Sequence, residues 1–363
     1  MNRLLNAAVI GCGYWGPNLI RNLRSVADCE VKSVCDLSEE RLRHIKSLYP
    51  EIHFTTRCEE VIADAQIDAV MIATPVASHF QLAKQSLEAG KHTFVEKPIT
   101  ASVDQARELT ALAEGRGLTL MTGHTFIYSA PVRRIKELIQ GGELGEILYI
   151  SCRRLNLGLV QKDINVAWDL APHDISIILY VLEKTPLSVN CQGKAHIDPN
   201  VEDVTSMTLN FQNGGLAIIH SSWLDPNKVR EMTFVGSEKM LVYSDTEPLE
   251  KIRIYDKRIE IPAHYDSFGE FCYSYHYGDV CSPYIRQEEP LKVECQHFVD
   301  CIRRGAKPDS SGLEGLEVVK ILEATATSLR NRGAEVWISG RVPTEPRHEA
   351  QNGEVRAGSS VRV

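Results

Sequence analysis

The feature that most constrains the fold is a regular alternation of apolar runs and amphipathic segments over residues 1–122. The apolar runs are short and nearly continuous, as expected of strands that are buried on both faces. The segments between them repeat their apolar residues at helical spacing. We predict strands at Leu5–Ile10, Val31–Cys35, Asp68–Ala73, His92–Val95 and Leu118–Met121. We predict helices at Tyr14–Ser25, Ala77–Ala89 and Ser102–Glu114, and one that is capped by Ser38 and ends at Leu48. This order predicts an α/β domain with a doubly wound parallel sheet.

The turn between the first strand and the first helix has the sequence Gly-Cys-Gly-Tyr-Trp-Gly over residues 11–16. Glycines at these spacings allow a tight turn and let the backbone approach a pyrophosphate, which the helix N-terminus attracts. Asp36 ends the second strand, 20 residues after Gly16, where a carboxylate can bind the ribose hydroxyls. A coincidental glycine turn is the alternative. We therefore predict a dinucleotide-binding Rossmann domain whose cofactor contacts include Gly11, Gly13, Tyr14, Trp15, Gly16 and Asp36.

The identity of the cofactor depends on the charge near its adenosine ribose. Asp36 would repel a 2′-phosphate, which favours NAD over NADP. Arg41 and Arg43 follow on the next predicted helix and moderate this preference.

Two further strands end in residues that can face a ligand at the carboxyl edge of the sheet. Thr74 and Pro75 follow one strand, and Glu96-Lys97-Pro98 closes the next. Lys97 is predicted to face the ligand crevice, although an isolated Lys-Pro pair is more typical of a surface. His79 could reach the cofactor or pack locally in the first turn of its helix. The expected cofactor contacts thus extend to Thr74, Pro75, His79, Glu96, Lys97 and His124.

Beyond residue 122 the pattern changes to successive hairpins. Asn213-Gly214 is a strong hairpin turn between two apolar runs. We predict strands at Ile147–Arg153, Val204–Phe211, Gly215–Ser222, Glu231–Val235 and Met240–Ser244, and helices at Pro131–Gln140, Glu294–Arg304 and Leu313–Arg330. Residues 123–341 should therefore form an α+β domain with a large, mostly antiparallel, open sheet. The two late helices either cover this sheet or return to pack on the first domain. Residues 342–363 are polar and predicted to be disordered.

A helix in the second domain carries the most informative polar residues. Pro172 is best tolerated in a first turn, so we predict that this helix begins near Asp169. Asp169 and His173 then lie one turn apart on the same face, whereas Asp174 points about 100° away, toward solvent or a structural contact. A carboxylate one turn from an imidazole can orient the ring and tune its basicity. A helix-start aspartate beside a packed histidine would give the same pattern.

Composition excludes several classes of protein. A net charge of −8 argues against nucleic acid or an anionic membrane as the main partner. No apolar run approaches the roughly 20 residues needed to cross a bilayer. The N-terminus has no apolar signal segment, so we expect a cytoplasmic protein. Ten cysteines at irregular spacings are typical of buried thiols in a reducing compartment, and we predict no metal site.

Taken together, these stretches resemble the glucose-fructose oxidoreductase/inositol dehydrogenase/rhizopine catabolism (Gfo/Idh/MocA) family over about residues 5–335. The resemblance rests on the glycine turn, on Glu96-Lys97-Pro98, on the spacing of Asp169 and His173, and on Gly-Glu-Leu-Gly-Glu-Ile at 142–147. It implies a Rossmann domain followed by an α/β domain whose open sheet often forms an oligomer interface. We therefore expect a homo-oligomer, either a dimer or a tetramer.

The resemblance also implies roles for individual residues. Lys97 would contact both nicotinamide and a substrate hydroxyl, His173 would accept the proton, and Asp169 would bind substrate and support the histidine. The family often has Gly-Gly before this aspartate, where this chain has Ala167-Trp168. That departure affects the shape of the substrate pocket.

The substrate is the least constrained part of the prediction. The segment over residues 151–174 is similar to the nucleotide-sugar branch of the family, whose members include UDP-N-acetylglucosamine and UDP-N-acetylglucosaminuronate 3-dehydrogenases. Arg153 or Arg154 could instead be an exposed strand residue. Free polyol or inositol dehydrogenase, 3-ketosugar reductase and a non-enzymatic NAD-binding regulator are the alternatives. The expected substrate contacts are Lys97, Arg153, Asn156, Asn165, Trp168, Asp169 and His173.

Overall fold

The computed structural model contains two β-sheets with helices packed against them, and all statements below concern the residues that it describes. The hairpin residue Asn213 and the tail at 342–363 lie outside this set, so the predictions made for them stay predictions. The described residues are 3–162, 164–212, 214–260 and 274–338.

The first sheet has six parallel strands in the order β3-β2-β1-β4-β5-β6. Its strands are β1 (Leu5–Ile10), β2 (Cys29–Cys35), β3 (His53–Thr55), β4 (Ala69–Ile72), β5 (His92–Glu96) and β6 (Leu120–Gly123). Its helices are α1 (Gly16–Leu23), α2 (Glu39–Leu48), α3 (Cys58–Ala63), α4 (Val76–Glu88) and α5 (Val103–Arg116). The predicted doubly wound parallel sheet is confirmed. The strand order reverses between β1 and β4, which places a ligand crevice at their carboxyl ends.

The glycine turn shapes the entrance to that crevice. Gly11 has a φ of +100°, a conformation that residues with a Cβ rarely adopt. A Cβ at Gly16 would collide with the carbonyl of Gly11, so α1 can pack closely on β1 only with glycine there. Helix α1 begins at Gly16, with Trp15 as its N-cap and Pro17 in its first turn. This start is two residues later than the predicted Tyr14.

The second sheet has nine strands in the order β14-β13-β12-β11-β7-β10-β9-β8-β15. Every neighbouring pair is antiparallel except β7 and β10. Its strands are β7 (Ile147–Leu157), β8 (Ser188–Lys194), β9 (Val204–Asn210), β10 (Leu216–Ser222), β11 (Leu224–Gly236), β12 (Met240–Ser244), β13 (Ile252–Glu260), β14 (Ser274–Cys281) and β15 (Val336–Trp337). The predicted mostly antiparallel sheet is confirmed.

Four helices accompany the second sheet in the chain. They are α6 (Ala130–Gln140), α7 (Val166–Leu182), α8 (Pro290–Arg304) and α9 (Gly312–Arg330), and a short 3-10 helix, Thr125–Tyr128, joins the two sheets. One face of the sheet is buried under helices and the other is open, as the alternation along β7 demonstrates. Ile150, Cys152 and Arg154 are buried, whereas Tyr149 and Arg153 on the opposite face are exposed. The open face as an oligomer interface stays a prediction.

The two late helices connect the sheets. Leu291, Cys295 and Phe298 of α8 belong to the apolar core of the first sheet. Helix α9 contributes Leu316 and Val319 to the first sheet and other residues to the core of the second. Helix α9 therefore joins the first sheet to α7 and to the second sheet, while α8 packs on α1 and on the 3-10 helix, and this junction contains the candidate site.

Candidate active site

A crevice of about 900 Å³ runs along the carboxyl ends of the first sheet. Its walls are the glycine turn, the residues that follow β2, β4 and β5, and Asp169 at the start of α7. An elongated crevice at this switch point has the place and shape that a dinucleotide requires. Asp36 lies at one end of it, and Lys97 and Asp169 lie at the other.

The Asp36 end fits an adenosine ribose. Asp36 is buried, with one carboxylate oxygen accepting the Cys12 N–H at 2.5 Å and the other accepting the Ser38 N–H at 2.8 Å. These bonds fix the carboxylate and leave lone pairs for hydroxyl donors. Arg41 lies 3.8 Å from the same carboxylate and also lines the crevice. A Cβ at Gly13 would meet no atom within 4 Å, so the turn leaves room for a phosphate.

The other residues of the glycine turn lie at the mouth of the crevice. Tyr14 is largely exposed and Trp15 is at the border of exposure, with their ring centroids 5.3 Å apart in an edge-on arrangement. Both line the crevice, together with Thr74 and Pro75 after β4. A bound dinucleotide would cover these apolar rings.

His79 ties two strand-end loops together. One ring nitrogen lies 2.8 Å from the Thr74 carbonyl and the other lies 2.9 Å from the Pro98 carbonyl. The side chain is buried, and burial lowers its pKa. The sequence left open whether this residue reaches the cofactor or packs locally. The structure places its ring between the Thr74 and Pro98 carbonyls and the residue on the wall of the crevice, so its contact with the cofactor stays a prediction.

Lys97 extends from the end of β5 across the crevice to α7. Its Nζ donates to the backbone carbonyl of Asp169 at 2.8 Å and lies 3.6 Å from Oδ1 of the same residue. The side chain is only 13% exposed. Burial lowers its pKa, while the charges of Asp169 and Glu96 oppose that change. The ammonium is thus a partly desolvated donor at the end of the crevice opposite Asp36.

Helix α7 brings Asp169 and His173 to the site. It begins at Val166 rather than near Asp169, because the Asn165 side chain caps it by accepting the Trp168 N–H at 3.1 Å. Pro172 therefore lies inside the helix and not in its first turn. The spacing of four residues still puts Asp169 and His173 on one face.

The second carboxylate oxygen of Asp169 has its own partner. It accepts the indole N–H of Trp223, which is fully buried, at 3.1 Å. Asp169 is therefore held by Lys97 on one side and by Trp223 on the other. The carboxylate has little rotational freedom, which suits a residue that positions other groups.

His173 lies in a strongly cationic environment. Its ring packs edge-on against Phe126 with centroids 4.9 Å apart, and its Nδ1 is buried without a hydrogen-bond partner. Burial lowers its pKa well below the usual value, and the charges of Lys97 and Arg154 act in the same direction. The imidazole is consequently neutral and able to accept a proton.

Behind His173, Arg154 and Asp174 form a buried ion pair. Arg154 donates to the carboxylate from both Nε and Nη2, with a shortest distance of 2.7 Å, and its guanidinium lies 4.8 Å from the centre of the Phe126 ring. Both side chains are almost completely enclosed. Asp174 therefore makes a structural contact, which is one of the two alternatives that its position on the helix left open.

The expected substrate contacts are only partly brought together. Arg153 points to the open face of the second sheet, is exposed, and lies 3.8 Å from Glu231. Asn165 is occupied as the N-cap of α7 and as a donor to Glu202 at 2.9 Å. Strand pleating directs Arg153 away from the crevice, whereas Asn165 lies one turn before Asp169 with its side chain engaged in the helix cap, and its contact with substrate stays a prediction.

Two of the remaining expected substrate contacts lie close to the site. Trp168 is half-buried and packs against the apolar cores of both sheets, one residue before Asp169. Asn156 is half-buried near Gly158, beside the Trp223 ring. Neither residue lines the crevice itself, so their contact with substrate stays a prediction.

His124 follows β6 at the junction of the two sheets. It is 1% exposed, and neither of its ring nitrogens has a hydrogen-bond partner. Burial lowers its pKa to about 3, aided by the charge of Lys97. His124 is not among the residues that line the crevice, and its contact with the cofactor stays a prediction.

Several site residues carried no signal in the sequence. Trp223, between β10 and β11, and Phe126, in the 3-10 helix, reach the site through tertiary packing alone. Gln161 and Ile164 line the crevice from the segment between β7 and α7, which has no motif. Arg154 could have been distinguished from Arg153 only by knowing which face of β7 is covered.

Among the described residues, no group of three or more His, Cys, Asp or Glu side chains is arranged to hold a metal ion. Within the same part of the chain, no helix is long and apolar enough to span a membrane.

Two protein-family models match this chain. The model described as "Oxidoreductase family, NAD-binding Rossmann fold" matches residues 5–124, and the GFO/IDH/MocA C-terminal domain matches residues 132–242. The chain belongs to the Gfo/Idh/MocA family of oxidoreductases. The first sheet is accordingly the NAD-binding Rossmann fold of this family.

Individual Gfo/Idh/MocA proteins are similar at low identity over most of the chain. Myo-inositol 2-dehydrogenase of Thermotoga maritima is 23% identical over 346 residues, which cover 90% of this chain and 97% of that protein. The structure of UDP-N-acetylglucosamine 3-dehydrogenase from Acidithiobacillus ferrooxidans has a TM-score of 0.76 and 21% identity, covering 92% and 99% of the two chains. GenD2 from gentamicin A biosynthesis, in complex with NAD, has a TM-score of 0.77 and 22% identity, covering 93% and 97%.

The two adjacent arginines of β7 predict different losses of stability. Arg154 is buried with its partner Asp174, whereas Arg153 is exposed. Asp174→Asn leaves the Arg154 charge buried without its partner, so we expect the free energy of unfolding to fall by about 3–5 kcal/mol. Arg153→Gln on the open face should change it by less than about 0.5 kcal/mol. Urea unfolding of both variants measures this difference. Equal losses would contradict the placement of the two arginines.

Proposed function

We propose that this protein is an NAD-dependent dehydrogenase that transfers a hydride between a sugar ring carbinol and nicotinamide. The proposed substrate is a nucleotide-linked hexose oxidised at C3, such as a UDP-N-acetylhexosamine or its uronate. The observation that carries the proposal is the contact of Lys97 with Asp169 at one end of the crevice, with His173 one helical turn after Asp169 on the same face of α7. A cofactor site alone would serve a regulator equally well, but these three side chains supply the acid–base chemistry of alcohol oxidation.

His173 is the proposed proton acceptor. Its neutral ring can take the hydroxyl proton as the carbinol hydrogen leaves, and the reverse transfer serves reduction. The same cationic surroundings that keep it neutral would return the proton readily. Nicotinamide, when bound, supplies the hydride acceptor or donor.

Lys97 is the proposed electrostatic group. Its ammonium would donate a hydrogen bond to the substrate oxygen and stabilise the negative charge that develops there. Asp169 supports it by binding the same ammonium at 2.8 Å and 3.6 Å. Because Trp223 holds Asp169 in turn, the lysine is oriented before substrate arrives.

We propose NAD rather than NADP as the cofactor. Asp36 presents a fixed carboxylate where the 2′-phosphate of NADP would lie, and repulsion would disfavour that ligand. Arg41 lies close enough to offer partial compensation. The glycine turn, Tyr14 and Trp15 would bind the remainder of the dinucleotide.

The nucleotide-sugar substrate is supported by the segment at 151–174 and by the structural likeness to a UDP-N-acetylglucosamine 3-dehydrogenase. A free polyol or inositol is the second candidate, supported by the similarity to myo-inositol 2-dehydrogenase over 90% of the chain. Reduction of a 3-ketosugar would use the same groups in the opposite direction.

We also propose the division of the chain into a cofactor domain at 1–122 and a substrate domain at 123–341. The open face of the second sheet is the proposed contact in a homo-oligomer, because exposed apolar residues such as Ile218 lie on it. A cytoplasmic location stays a prediction from the sequence.

A substrate panel tests the proposed reaction. The protein is mixed with NAD, and in parallel with NADP, in the presence of UDP-sugars, dTDP-sugars, free hexoses or inositols, while absorbance of the reduced cofactor is followed. We expect NAD-dependent turnover with a UDP-N-acetylhexosamine or its uronate. Turnover restricted to inositols or free hexoses would favour the second candidate, and binding of NAD without turnover on any alcohol would favour a regulator.

Substitution of the lysine tests the proposed mechanism. Lys97→Ala removes the ammonium that stabilises the developing charge, so turnover should fall by at least about a hundredfold. NADH affinity, measured by fluorescence titration, should stay nearly unchanged. Lys84→Ala, on the exposed face of α4, is the control and should retain turnover. Retained turnover in Lys97→Ala would remove this lysine from the mechanism.

A further inference from the structure

Glu96 is a carboxylate enclosed at the Lys97 end of the crevice. It closes β5, is 6% exposed and lines the crevice wall. One of its oxygens accepts the backbone N–H of Lys97 at 3.3 Å, and the other has no hydrogen-bond partner. An enclosed carboxylate with a free oxygen needs an explanation, because burial of an unpaired charge is costly.

The neighbouring lysine does not neutralise Glu96 by a direct ion pair. The Lys97 ammonium is directed at Asp169, and no ion pair to Glu96 occurs in the described part of the chain. Its charge still favours the ionised form of Glu96, but from a distance. Burial is the larger effect and raises the Glu96 pKa to about 7.

Among the residues that the structure describes, the other titratable groups around Glu96 supply no positive charge. His124, after β6, is neutral because burial lowers its pKa to about 3. From α8, Glu294 is fully buried and accepts a hydrogen bond from Thr125 at 2.7 Å. Burial and the charge of Glu96 raise the Glu294 pKa well above its usual value, and burial likewise keeps the Cys295 thiol protonated. The cation that would complete this environment must come from a ligand.

The oxidised nicotinamide ring is cationic and the reduced ring is neutral, while the rest of the dinucleotide keeps the same charge. This inference rests on the proposed function, since it assumes nicotinamide at the Lys97 end. We propose that Glu96 is the counter-ion of the oxidised nicotinamide ring and takes up a proton when the bound cofactor is reduced. Burial and the charge of Glu96 both favour the protonated form of Glu294.

Under this proposal, the protons and charges of the reaction balance within the protein. In oxidation, the carbinol C–H bond would break and its electron pair would leave with the hydrogen as a hydride for a bound nicotinamide, while the O–H proton would pass to the protein through His173. The Glu96 carboxylate would then be left without a counter-ion, because a reduced ring is neutral. One proton bound by Glu96 restores neutrality, so the proton released by the substrate is matched by one taken up at Glu96.

A specific pH dependence follows from this linkage. A cation beside Glu96 lowers its pKa below about 7, so binding of NAD⁺ releases a proton from the fraction that is protonated in the free protein. NAD⁺ affinity should therefore rise with pH up to about 7 and level off above it. If the ring lowers the Glu96 pKa by about one unit, the affinity for NAD⁺ relative to NADH rises about fivefold between pH 6 and 8. The neutral ring of NADH gives no such change.

The experiment is a titration of the full-length protein with NAD⁺ and with NADH at several pH values. The ratio of the two dissociation constants in the unsubstituted protein is the first measurement, since it requires no variant to fold. Glu96→Gln should make the ratio independent of pH. Glu294→Gln keeps the neutral state of that residue and should retain the pH dependence, as should Glu59→Gln at the Asp36 end of the same crevice.

The outcomes separate this inference from the proposed function. A ratio that does not vary between pH 6 and 8 in the unsubstituted protein would overturn the role of Glu96, even if sugars are oxidised. A pH dependence that survives in Glu96→Gln would do the same, and its loss in Glu294→Gln would assign the proton to Glu294 instead. If neither cofactor binds, the proposed function fails before this question arises.

Discussion

The site depends on one contact, between the Lys97 ammonium at the end of β5 and Asp169 on α7. It joins the cofactor-binding sheet to the helix that carries His173, across the crevice. A largely buried ammonium without this partner would be strongly unfavourable, so the contact constrains how the two sheets meet. His79 fixes the lysine side through Pro98, and Trp223 fixes the aspartate side. A small set of buried hydrogen bonds and one ion pair therefore fixes the position and orientation of Lys97 and Asp169.

The first sheet was predictable because its signals are local. The glycine turn, Asp36 and the residues after β4 and β5 each follow a buried strand, and parallel strands bring their carboxyl ends to one edge. The short β3 and α3 escaped prediction, since three and six residues are too few to establish a period. The start of α7 was predicted three residues late because the preference of proline for a first turn outweighed the capping signal of Asn165.

The mostly antiparallel type of the second sheet could be predicted, but the residues that it contributes to the site could not. Alternation along a strand gives its two faces without saying which one the helices cover, and so Arg153 was chosen where Arg154 is the buried residue. Trp223 and Phe126 reach the site by packing between distant segments, which no local pattern records. Glu96 was recognisable as a neighbour of the lysine, but its lack of a counter-ion depends on where Lys97 points.

The central claim is that hydride passes from a sugar carbinol to nicotinamide beside Lys97 and His173. It is tested most directly by incubating the protein with NAD⁺ and UDP-N-acetylglucosamine or its uronate deuterated at C3, followed by mass spectrometry of the cofactor. The account predicts NADH that is heavier by about one mass unit, because the carbinol hydrogen is transferred directly. Unlabelled NADH, or no NADH with either sugar, would contradict it.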